Sequence, residues 1–148
     1  MLRMIIALPV GIVVMGLLVA FIESLGHTVF PASDEMKAAI ELIVRQDPAA
    51  RQAVIDAQPT MPIGAYLSVV AAWCLGAAGG AWTAARIAGT MHMAFGVGVG
   101  LVVLLSAAAN LALIPHPVWM WPVGLVAPVL CALASARQAA SGSVSRVQ

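Results

Sequence analysis

The chain has 148 residues, 62% of them hydrophobic and 9% charged, with a formal net charge of +1 and a mean hydropathy of +1.01. A soluble domain carries about 25% charged residues, so this composition excludes a water-soluble core. The near-neutral balance, without any run of basic residues, excludes nucleic acid as a partner.

Four apolar stretches follow one another along the chain: Met4–Ile22, Pro62–Ala85, Met91–Ile114 and Val118–Ala136. A hydrocarbon core of ~30 Å takes roughly 20 helical residues, so each stretch is long enough to cross a bilayer. The expected fold is all-α: a single integral membrane domain over residues 1–148, built as a bundle of four transmembrane helices. The first stretch is longer than the apolar core of a cleavable leader and no Ala-x-Ala site follows it, so it reads as an uncleaved helix. Pro9 lies near its start. Glu23 and His27 stand four residues apart just beyond it, on one helical face.

The connection over residues 27–61 is patterned. Ser33 is placed to cap a helix whose first turn holds Asp34 and Glu35, both favourable at the positive end of a helix dipole. Met36, Ala39, Ile40, Ile43 and Val44 recur at helical spacing. Lys37 with Glu41, and Glu41 with Arg45, are opposite charges four apart. Asp47-Pro48 restarts a second helix with Pro48 at its first position, running through Val54 and Ile55 and stopping before Pro59. Two short amphipathic helices are therefore expected over one mouth of the bundle, as a surface hairpin or as a lid.

The second span carries Gly64, Ser68, Ala72, Gly76, Gly80, Ala84 and Ala88, each four residues after the last. Small residues in such a row let another backbone come close, where lipid offers no hydrophobic drive between helices. The row predicts close packing against the first or third span, or an interface with a second copy or another membrane subunit. In the third span, Gly98, Val102, Ser106 and Asn110 make another four-spaced row ending in a polar residue. Pro122 falls in the first turn of the fourth span, and Pro128 is expected to kink it or free a carbonyl. Cys74 and Cys131 lie inside apolar stretches and read as small buried residues.

With four spans, Arg3, Arg86, Arg137 and Arg146 share one side, which carries no acidic residue. Short basic flanks of this kind mark the cytoplasmic face, so both termini are expected there, with Trp82 near the inner interface and Trp119 and Trp121 near the outer one. His92 then falls at the inner end of the third span, as an interfacial residue.

This parity sends Glu23, His27, Asn110 and His116 to one outer mouth. An ionisable residue within a membrane is costly and usually faces the protein interior, so these four residues are the candidate polar cluster. Three readings stand. The first is a structural network in which Glu23 pairs with a histidine and Asn110 caps carbonyls of the outer turn. The second is a metal site on Glu23, His27 and His116, short of ligands without Asp34. The third is a proton- or substrate-handling pocket. No GxSxG, HExxH, CxxC or phosphate-cradling glycine motif occurs, so the sequence leaves open whether the protein is an enzyme and names no cofactor.

The ordered set Glu23-Ser24-Leu25-Gly26-His27, Phe30-Pro31, Ala72-Trp73-Cys74-Leu75-Gly76-Ala77-Ala78-Gly79-Gly80, Ala84-Ala85-Arg86, Asn110 and Pro115-His116-Pro117-Val118-Trp119 resembles a group of small four-span bacterial membrane proteins of uncharacterised activity. The resemblance covers nearly the whole chain. It implies the four-span architecture and a bacterial inner-membrane location, and it carries no catalytic residue with it. The expectation is a non-enzymatic accessory or scaffold subunit, with a small carrier or membrane enzyme using the outer Glu/His pocket as the alternative.

Overall fold

The computed structural model describes residues 2–144, all helix and connection with no strand among them. Arg146 lies outside the described residues. The helices are α1 (Leu2–Val29), α2 (Asp34–Val44), α3 (Ala50–Ala57), α4 (Ile63–Ala88), α5 (His92–Leu113) and α6 (Met120–Val144), with a 3₁₀ turn over Gln58–Thr60. Four of them, α1, α4, α5 and α6, are long and apolar enough to cross a membrane. The protein is a multi-pass membrane protein of all-helical class.

Several helices overrun their apolar stretches. α1 continues seven residues past Ile22, so His27 belongs to the helix and the connection begins after Val29. Nothing between Glu23 and Val29 breaks a helix: the Thr28 hydroxyl donates to the Ser24 carbonyl at 2.9 Å, and Pro31 disfavours helical backbone at the residue before it. Pro9 and Pro128 lie within continuous helices, and Pro128 is fully buried.

α4 is the central helix. It touches α1, α5 and α6, whereas α1 and α6 do not meet. From Gly64 to Ala84 its small-residue row lies against α1 and the Phe30 ring just beyond it, in antiparallel register. Gly64 lies against Phe30, Ser68 against Gly26, Gly76 against Val19, Gly80 against Met15 and Gly11, and Ala84 against Gly11. A Cβ added at Gly80 would stand 2.6 Å from the Gly11 carbonyl oxygen, so this approach is backbone on backbone. Over that length the row is an internal seam. On the other flank α4 and α6 run parallel. The Ser135 hydroxyl donates to the Ala78 carbonyl at 2.8 Å. Cys74 and Cys131, at the same sequence separation one turn away, are free thiols and half-buried rather than buried. Gly124 opens room for the Trp73 ring, whose nearest atom would be 2.8 Å from a Cβ there. The shared core gathers Met15, Trp73, Val99, Val103, Leu111 and Met120.

The end away from the hairpin closes tightly. Gly89 and Met91 take left-handed backbone (φ 71° and 52°) to turn α4 into α5, and the Arg86 guanidinium sits over Trp82, 5.4 Å from the ring centre.

The connection folds into a helical hairpin with its own small core of Met36, Ala39, Val54 and Ala57. Ser33 caps α2 as its position implies, accepting from the Met36 amide at 3.1 Å, and it clasps Thr60 at 2.6 Å across the hairpin. Three details depart from the sequence reading. Lys37 pairs with Asp34 at 2.8 Å rather than with Glu41, because the i+3 carboxylate at the helix start is in reach while Glu41 is taken by Arg45. Pro48 sits in a turn before α3 rather than at its first position: the Asp47 carboxylate accepts from the Ala49 amide at 2.8 Å, and this side-chain turn delays the helix to Ala50. Val44 is 78% exposed, pointing away from the apolar face it was grouped with.

Candidate functional site

The polar residues of the hairpin end fall into two cavities. The first is a groove of about 310 Å³ between α1 and α5. These helices touch where Leu8 meets Gly98 and splay apart toward the hairpin. Met15, Gly16, Val19 and Ala20 form one wall, Val103 and Ala107 the other, and Trp73 of α4 is the floor. Glu23 and Asn110 stand at its polar end, with Ser106 one turn below Asn110. The α1–α4 register sets Glu23 level with Ala72, nine residues into α4, or about 13 Å inward of the first turn of that helix at ~1.5 Å per residue. Glu23 is half-buried. The ion pairs among the described residues are Lys37–Asp34 and Arg45–Glu41, both in α2 and its cap; the Glu23 carboxylate has neither an ion pair nor a hydrogen bond there.

The second cavity is a chamber of about 290 Å³ between the hairpin and the bundle. Met36, Ile40, Ile43, Val54 and Met61 roof it, and Ala65, Tyr66, Val69 and Ile114 form its base. The backbones of hairpin and bundle keep apart. They are tied by side chains, notably the Tyr66 hydroxyl donating to the Gln58 carbonyl at 3.4 Å. Tyr66 is itself steadied edge-on by Trp119, with ring centres 6.4 Å apart. His27 and His116 line this chamber and are its two imidazoles. His116 Nδ1 lies 2.7 Å from the Ile114 carbonyl. A carbonyl only accepts, so Nδ1 carries the proton in that contact and Nε2 is the nitrogen left for other partners.

Of the four candidate residues, then, Glu23 shares a cavity with Asn110, and His27 shares one with His116. Among the described residues no three His, Cys, Asp or Glu side chains are grouped to hold a metal ion, so Glu23, His27 and His116 do not assemble the ligand set suggested by their shared side. The Asn110 side chain lines the groove, and it is the Asn110 backbone carbonyl that accepts from the Ile114 amide at 3.0 Å. His92 opens α5 at the far end, half-buried. Sequence reasoning passed over Trp73 and Gly16. Trp73 carried a signal, as a tryptophan in mid-span away from both aromatic belts. Gly16 carried one too, in the four-spaced small row Gly16, Ala20, Ser24 on the face of α1 that α4 leaves uncovered.

No family model, curated protein or solved structure matches this chain.

Proposed function

We propose that this protein is a non-enzymatic accessory or scaffold subunit of a bacterial cytoplasmic membrane complex, with both termini in the cytoplasm and the hairpin outside. The observation that supports it is the unpartnered Glu23 carboxylate at the end of an open groove edged by small residues. A carboxylate within a membrane-spanning helix is stabilised by a partner or by water, and the described residues supply it neither an ion pair nor a hydrogen bond. Beside it, Gly16, Ala20 and Ser24 are all exposed, and a Cβ at Gly16 would meet nothing within 4 Å. Small-xxx-small rows of this kind allow close approach of a second helix. A transmembrane helix of another subunit, carrying a hydrogen-bond donor at the level of Glu23, complements the groove. The test is purification of tagged wild type, Glu23→Gln and Gly16→Leu chains from native membranes. Wild type should bring one stoichiometric membrane partner, and both variants should lose it while keeping normal yield. Wild type purifying alone would sink the reading. The orientation is checked by reporter fusions at Gln148 and Gln52: the first should report cytoplasm and the second the opposite side.

The alternative, a small carrier or membrane enzyme, is favoured by one observation, the chamber holding His27 and His116. A substrate acted on there would bind the isolated chain without any partner subunit.

A further inference from the structure

The chamber opens beside a second depression of about 290 Å³, and the two share Ile43 and Pro115. Arg51 lines this depression together with Gln46, Asp47 and Leu113. Of the three cations in the hairpin, Lys37 is paired with Asp34 and Arg45 with Glu41. Among the described residues Arg51 has no ion pair or hydrogen bond. Asp47 lies in the same depression, but one of its carboxylate oxygens accepts the Ala49 amide, and Asp56 accepts from Gln52 at 2.8 Å. The site thus joins two unlike halves: a chamber walled almost wholly by hydrocarbon, and a mouth with a free guanidinium and the His116 imidazole on the turn beside it. An apolar cavity between a span and an interfacial hairpin lies where lipid chains meet headgroups.

We propose that these joined cavities bind a single anionic membrane lipid, one acyl chain in the chamber and the headgroup phosphate at Arg51. Guanidinium and phosphate are matched in charge and hydrogen-bond geometry, and the tautomer fixed by Ile114 leaves His116 Nε2 as an acceptor for a headgroup hydroxyl. Tyr66 closes the base of the chamber, so the chain enters from the lipid side past Ile43 and Pro115. The site is independent of the Glu23 groove, since the two cavities share no lining residue.

The test uses the full chain, delipidated in a neutral detergent and titrated with short-chain phosphatidylglycerol, short-chain phosphatidylcholine or inorganic phosphate, with bound lipid counted by native mass spectrometry. Wild type should retain one phosphatidylglycerol per chain, at about tenfold higher affinity than phosphatidylcholine, as expected for a charge-assisted contact. Inorganic phosphate alone should leave no bound species. Arg51→Gln, a change at an exposed and unpaired side chain, should bring phosphatidylglycerol down to the phosphatidylcholine level. Ile40→Trp should fill the chamber and lower the affinity for both lipids. Equal affinity of wild type for the two lipids, or unchanged preference in Arg51→Gln, would overturn the headgroup assignment. Retention by phosphate alone, or full lipid binding by folded Ile40→Trp, would overturn the chamber.

Discussion

Gly80→Ala compared with Gly16→Ala isolates the energy of the α1–α4 seam. Both residues lie in helix interiors, so each substitution gains the same intrinsic helix preference, about 0.5–1 kcal/mol, and the comparison cancels it. Their surroundings are opposite. A Cβ at Gly16 meets nothing within 4 Å, whereas at Gly80 it stands 2.6 Å from the Gly11 carbonyl oxygen and 2.7 Å from Met15 Cβ. Ordinary contact begins about 0.8 Å further out, and the obstacle is backbone of a long helix, which no rotamer change relieves. α1 must back away along the seam, and a gap of 0.5–1 Å forfeits roughly a quarter to a half of each dispersion contact it opens. Overpacking of this kind costs about 1–3 kcal/mol. Gly80→Ala should therefore be about 1–3 kcal/mol less stable than Gly16→Ala, and Gly80→Leu worse still. Unfolding in mixed micelles, followed by tryptophan fluorescence, measures the difference. Equal stability of the two alanine variants within about 0.5 kcal/mol would refute a backbone-on-backbone seam.

Two further predictions concern the hairpin. Ser33→Ala removes both the cap on α2 and the clasp to Thr60, and a lost N-cap costs about 1 kcal/mol; amide exchange should accelerate over residues 34–60 while α4–α6 stay protected. The hydrogen bond from Lys37, and then its charge, hold the Asp34 carboxyl below the usual aspartate value of 3.8. A depressed carboxylate adds stability that is present above the unfolded value and lost as pH falls through the folded one. The pair should accordingly persist at neutral pH and fail only in strong acid, and Lys37→Met should raise the Asp34 titration, read by carboxyl carbon NMR shifts.

The helical class and the four spans follow from composition and hydropathy alone, because a bilayer imposes one length and one polarity on whatever crosses it. Ser33 was legible for a similar reason: a cap acts within one turn, so sequence spacing is spatial distance. The Lys37 partner was misassigned within that same range, since two carboxylates competed and Arg45 took one. Parity placed Glu23, His27, Asn110 and His116 at one end, but parity gives only the end. Which of them share a cavity depends on how helices lean. α1 and α5 touch at Leu8 and Gly98 and splay beyond, the Trp73 ring holds the floor between them, and the hairpin rides above on side chains. These outcomes arise from side-chain volumes summed across several helices, which no periodicity within one helix records. The seven-residue small row shows the same division. Its spacing announced a close approach, and only the tertiary structure assigned that approach to α1, leaving Gly16, Ala20 and Ser24 as the small row that still faces outward.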